Sequence, residues 1–121
     1  MKYELVKTQG NLFRLRLVRD LRLPDGTVMP AKRYGGLVEG EWNLCQDGAC
    51  WVHTGATVKG MAQVSDDAQV LDGAILEGDF FLEGRASVGG VKVRLERGGL
   101  GGNAKVRHPS HVLQVQFGKY L

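Results

Sequence analysis

Three histidines, two cysteines and one cluster of cations are the residues of this chain whose types could do chemistry. His53 is a candidate general base, a role that requires reach to the group it deprotonates and a second group that orients the ring. Nothing nearby in sequence marks it for that role. His108-Pro-Ser-His111 has a pair spacing that chelates a metal only if both rings face one way. Cys45 and Cys50 make neither a disulfide framework nor a zinc set, so packing is the expected role of Cys50. Lys92, Arg94 and Arg97 lie in a glycine-flanked stretch and suit an anion. No Ser-His-Asp or Cys-His pairing, paired-carboxylate arrangement or nucleotide loop stands out. The glycines of 98–102 lack the strand-then-helix setting of a phosphate-binding fingerprint.

The elements that must position these groups are set by a period of six. From Val52 an aliphatic residue returns at Val58, Val64, Val70, Leu76, Leu82 and Val88, then, after Arg94, at Leu100, Val106 and Val112. Two places before each stands a second, mostly small series that includes Cys50, Ala56, Ala62, Ala68, Ala74, Ala86 and Ala104. Gly or Asp follows most aliphatic positions by two, which is turn chemistry. A helix repeats at about 3.6 residues and a strand at 2, so neither fits as one long element. Short strands joined by tight corners, wound into a solenoid, do fit. Alternation about Cys50 and Val52 then turns Trp51 outward, together with Ile75, Phe81 and Val93. These four are the expected interface residues, since an apolar patch on flat faces calls for a partner.

Residues 90–102 break the register, because strict repetition would bury Lys92 and Arg94 unpaired at a cost of several kcal/mol each. A one-residue slip would turn Val91, Val93 and Leu95 inward instead. A bulge or protruding loop carrying Lys92, Arg94 and Arg97 is expected there.

The opening residues carry no hexad. Residues 3–6 and 12–19 read as extended, the latter alternating Phe13, Leu15 and Leu17 with Arg14 and Arg16. Pro24-Asp25-Gly26 supplies a turn, and Thr27-Val28-Met29 runs back as a second strand. A small antiparallel cap over the first coil follows, because a solenoid end exposes backbone and core that must be covered. Trp42 is expected to cover that coil. Arg14, Arg16, Arg19 and Arg22 make a nucleic-acid-binding ribbon the rival reading, with Phe13 and Tyr3 as the nearest stacking rings.

These residues resemble the hexapeptide-repeat proteins that form left-handed parallel β-helices. Gly35-Gly36-Leu37-Val38-Glu39, Asn43-Leu44 and Gly48-Ala49-Cys50-Trp51-Val52 are similar to the lead-in motif of a narrower bacterial and prophage-encoded group of largely unassigned function. Leu37 stands where that group has Trp, and Cys45 where it has Ser. The resemblance implies an all-β, left-handed solenoid of three to four coils with three hexads per coil. Residues eighteen apart then stack, placing Val52, Val70, Val88 and Val106 in one column. The implied organisation is a cap and lead-in over 1–47, the β-helix over 48–113 and a terminal strand over 114–121, all one domain.

The resemblance also bears on activity. Relatives include acyltransferases with a histidine base at a cleft between subunits, for which His53 is the sole candidate here, though their extended signatures are missing. Other relatives are zinc carbonic anhydrases with three histidines shared between subunits. His53 lies fifty-five residues before His108, about three coils or roughly 14 Å away, so one protomer cannot gather all three. No metal or cofactor is expected.

Length and composition bound the rest. With 121 residues and 43% apolar composition the chain can bury one core. The absence of a long apolar run or a basic-then-apolar leader points to a soluble cytoplasmic protein without membrane contact. Charge is segregated: eight Lys or Arg against three Asp or Glu over 1–35, two against nine over 36–91, and six against one over 92–121. The expected function is a non-enzymatic, oligomeric binding or scaffold protein, phage-related, forming trimers or dimers. It would act on a protein partner or an anionic small molecule at a subunit interface. A minimal acyltransferase is the first alternative, and a nucleic-acid-binding module using the basic ends is the second.

Overall fold

Stacked six-residue repeats dominate the computed structural model, which describes residues 1–90, 92–94 in backbone only, and 98–107. Among these residues the chain is β throughout, apart from a 3-10 turn at Glu41–Asn43. The strands are β1 (Tyr3–Lys7), β2 (Phe13–Leu17), β3 (Leu21–Arg22), β4 (Val28–Met29), β5 (Tyr34–Val38), β6 (Trp51–Val52), β7 (Thr57–Val58) and β8 (Gln63–Val64). Then follow β9 (Gln69–Val70), β10 (Ile75–Glu77), β11 (Phe80–Leu82), β12 (Ser87–Val88), β13 (Lys92–Arg94), β14 (Gly98–Leu100) and β15 (Lys105–Val106).

The hexad builds a solenoid of three parallel faces. The first stacks β5, β7, β10 and β13, the second β8, β11 and β14, and the third β6, β9, β12 and β15. On the third face Val52, Val70, Val88 and Val106 pair in register, each 0 or 1% exposed, as the eighteen-residue spacing predicts. Leu44, Val64, Leu82 and Leu100 form the second inward column. Val38, Val58, Leu76 and Val93 share the register of the first. Small residues at Ala56, Ala62, Ala68, Ala74 and Ala86 let the strands turn without crowding the axis. Phe80, the one bulky member of that series, has Gly98 as its register partner, so no side chain of the next coil stacks on it.

Four coils are present, because the first begins before the hexad does. Val38 pairs with Val58 and Leu44 with Val64, twenty residues apart rather than eighteen. The two extra residues lie in the corner between Leu44 and Trp51. Gly48 makes this corner possible: its φ is 75°, and a methyl group there would sit 2.3 Å from the Asp66 carbonyl oxygen.

Around 90–102 the break resolves as a shortened corner followed by a lengthened one. Leu76 pairs with Val93, seventeen residues on, while Leu82 pairs with Leu100 at the usual eighteen. Lys92–Arg94 and Gly98–Leu100 are thus strands in register. Residues 95–97 and 108–121, with Arg97, His108, His111 and the expected terminal strand, lie outside the described residues.

The N-terminal unit continues the first face. β1, β2 and β5 run antiparallel, and β5 pairs parallel with β7 on its other edge, giving a six-stranded sheet. β3 and β4 form the expected hairpin about Pro24-Asp25-Gly26. The unit also covers the open end of coil one, whose backbone has no preceding coil to bond. Lys2, fully buried, donates from Nζ to the carbonyls of Cys50 (2.8 Å), Asp47 and Gly48 (both 3.4 Å), with Cys50 Sγ at 3.2 Å. Tyr3 donates its hydroxyl to the Leu44 carbonyl, and Gln46 exchanges hydrogen bonds with the Tyr3 backbone. Clustered carbonyls need a donor with no lone pairs, and an ammonium is one.

Two tryptophans exchange their expected places. Trp51 does point away from the solenoid axis, yet it is 0% exposed, because Tyr3 packs edge-on with ring centroids 6.3 Å apart and Gly35 lies against its indole. It is therefore core and not interface. Trp42 is 52% exposed, its ring over Gly40 and its Nε1 donating to the Gly60 carbonyl (2.8 Å). Buried Asn43 also ties coil one to coil two, accepting from Glu39 and Gly40 and donating to Gly60 and Ala62.

Candidate functional site

The third face carries a cleft of about 440 Å³, within the range typical of small-molecule sites. Its floor is the outward ladder of Gln69, Ser87 and Lys105, register partners on β9, β12 and β15. Corner residues Asp67, Arg85 and Asn103 flank one side, with Leu71 and Arg107 on the other. The tip of the β3–β4 hairpin, Leu23-Pro24-Asp25, and His53 complete the lining. The cleft thus exists because a hairpin from the N-terminal unit reaches a face built by the repeats.

Hydrogen bonds fix the polar groups of this floor. Arg107 reaches back one coil, donating from Nη2 to Ser87 Oγ (2.8 Å) and from Nη1 to the Ser87 carbonyl (3.1 Å). Gly89 lies between these neighbours, and a methyl group there would crowd Leu71 Cβ at 3.0 Å. Gln69 donates from Nε2 to the carbonyls of Ala49 (2.7 Å) and Asp67 (3.1 Å). Its Oε1 is therefore the acceptor for His53 Nε2 at 2.7 Å, which places the imidazole proton on Nε2.

Charge is graded along the cleft. Asp25 and Asp67 sit at the coil-two end, while Arg85, Lys105 and Arg107, all exposed, belong to coils three and four. Asp25 is held below the usual carboxylate range, first by the backbone N–H of Thr27 that its Oδ1 accepts at 2.8 Å, with a lesser contribution from His53. It is an anion at neutral pH. The arrangement can seat an anionic group over coils three and four, with its remainder against Leu23, Pro24 and Leu71.

The structure distributes the sequence-predicted site residues differently from expectation. The backbone of Lys92 and Arg94 lies on the first face, in register with Ile75 and Glu77, whereas the cleft is on the third. Val93 shares the inward register of Leu76 instead of the Ile75 row where an interface residue would stand. Ile75 is half-buried on the first face, and Phe81, 38% exposed, lies on the second against Gly99, so the two are not on one plane. His53 lines the cleft, hydrogen-bonded to an amide. Arg85, Lys105 and Arg107 were missed because their grouping depends on the coil length. Spacings of eighteen and twenty from an already assigned column were the available signal.

Among the described residues no three His, Cys, Asp or Glu side chains converge as a metal site requires. Cys50, in the core beside Lys2, has its thiol pushed up by burial, which the Lys2 ammonium partly opposes. No described helix is long and apolar enough to cross a membrane. Compared with protein-family models, with curated proteins and with solved structures, the chain matches none.

Proposed function

We propose that the chain is a binding module that holds an anionic small molecule in the third-face cleft and carries out no chemistry on it. The observation that carries this reading is the convergence of exposed Arg85, Lys105 and Arg107 on one cleft with an apolar flank of Leu23, Pro24 and Leu71. Cations gathered in a concavity select for negative charge, and the apolar wall selects for a ligand with a non-polar part. Association of copies through Ile75 and Phe81 belongs to the same reading, as each presents apolar surface on its face.

Calorimetric titration with octyl phosphate and with inorganic phosphate tests it. Octyl phosphate binds more tightly, and Arg85→Ala and Lys105→Ala each weaken it by about tenfold, the effect of losing one charge-assisted contact. Absence of saturable binding by either compound, or binding indifferent to both substitutions, overturns the proposal. Mass in solution, compared between the native chain and Phe81→Glu, tests association separately.

A further inference from the structure

We infer that the sheet end around Tyr34 is a binding platform for single-stranded nucleic acid, distinct from the cleft. The structure brings together residues that the sequence keeps about twenty apart. Pairing of β2 with β5 sets Arg16 opposite Tyr34, and the guanidinium carbons of Arg14 and Arg16 lie 5.6 and 5.8 Å from the Tyr34 ring centroid. Two cations therefore brace the ring, while Tyr34 remains 47% exposed.

Further cations adjoin this ring. Leu17 donates its N–H to the Arg33 carbonyl (2.9 Å), and the Lys32 N–H donates to the Leu17 carbonyl (2.8 Å), which seats Lys32 and Arg33 beside the chain leading to Arg19. Lys32, Arg33 and Arg19 are all exposed. Lys32 also holds a φ of 74°, a conformation that disfavours any residue with a Cβ, so charge is present here at a backbone cost. The nearby carboxylates are engaged: Glu4 with Arg16 at 3.1 Å, and Asp20 with the Ala31 N–H at 2.8 Å.

An aromatic ring on a sheet surface, backed by guanidiniums and ringed by cations, matches the chemistry of a base followed by its phosphates. Each base presents a π-face for stacking, and the cations follow the backbone. A duplex hides those faces and would use the cations alone. A single strand is the polymer that engages both features.

Fluorescence anisotropy of a labelled oligothymidylate, against a duplex of equal length, tests the platform in the full chain. Single-strand binding that falls with salt is expected, and Tyr34→Ala weakens it by about five- to 150-fold, the range for one lost stack. Tyr34→Phe retains binding, which separates loss of the ring from loss of folding. Lys32→Ala and Arg33→Ala each lower the magnitude of the logarithmic salt slope by about 0.7. No binding at low salt, equal binding of duplex, or indifference to Tyr34→Ala overturns the inference.

Discussion

Replacing Lys2 by Met tests the account of how the first coil is closed. Lys2 is 0% exposed, and its ammonium has carbonyl and thiol partners rather than a carboxylate. The contact with the Cys50 carbonyl, at 2.8 Å, is a full hydrogen bond, whereas those at 3.4 Å to Asp47 and Gly48 add little. A bond from a charged donor is worth about 1.5–3 kcal/mol. Met keeps a stem of similar volume, so the cavity term is small. Relief of the buried charge offsets part of the loss, while the Cys50 carbonyl is left without its donor. The net expectation is a loss of about 2 kcal/mol. For a chain between the small and mid-sized classes this corresponds to a fall in Tm of roughly 8 °C. Thermal unfolding followed by circular dichroism, with exposed Lys7→Met as the control, measures it. A Lys2→Met protein as stable as the native chain, or more so, would show that those carbonyls do not depend on the ammonium.

Other expectations follow from the same geometry. Tyr3 is pushed well above the ordinary phenol range, first by burial and then by the charge of Glu41, so the folded state keeps a proton that the unfolded chain releases near pH 10. Its contribution is fully present below that pH and declines above it, by up to about 1.4 kcal/mol per pH unit; denaturant titrations at pH 9 to 11 show the decline, and Tyr3→Phe flattens it. Cys50, raised mainly by burial, adds a loss of the same sign that begins lower, from about pH 8.5. Gly48→Ala places a methyl group against the Asp66 carbonyl oxygen at a φ of 75° and destabilises by about 2 kcal/mol or more in chemical denaturation. Leu76→Ala empties one site in an inward column and costs about 2–5 kcal/mol by the same assay.

The solenoid was legible because six-fold repetition is local: each strand and corner fits within one hexad, and the third-face valines pair as their spacing requires. The first coil was hidden by its corner, where two extra residues shift the pairing from eighteen to twenty and remove the periodic signal before Val52. The hexad admits a one-residue slip near Val93 yet also places Val93 outward, and it gives no sign that the pairing returns to eighteen at Leu100. Alternation oriented Trp51 correctly away from the axis. It could not disclose the cover, because Tyr3 arrives from forty-eight residues away. The cleft and the Tyr34 cluster were invisible for a related reason: each joins the hairpin or meander to a partner that only the tertiary pairing brings near.

Closure of the coil and formation of the cleft share one piece of chain. The Lys2 carbonyl accepts the Val18 N–H at 2.9 Å, and Val18 lies just before the strand that begins the hairpin walling the cleft. β3 and β4 are two residues long, too short to hold their own position, so the wall is placed by what its ends are tied to. Loosening Lys2 should then weaken an anion bound beneath the hairpin although no ligand contact is lost, since the open-walled states gained by the variant bind less well. By the reciprocity of linkage, the anion should then stabilise Lys2→Met less than the native chain, each gaining RT ln(1 + [L]/Kd) with its own Kd. If saturating octyl phosphate raises the Tm of the native chain and of Lys2→Met by the same increment, the two sites are uncoupled and the hairpin is placed by the solenoid alone.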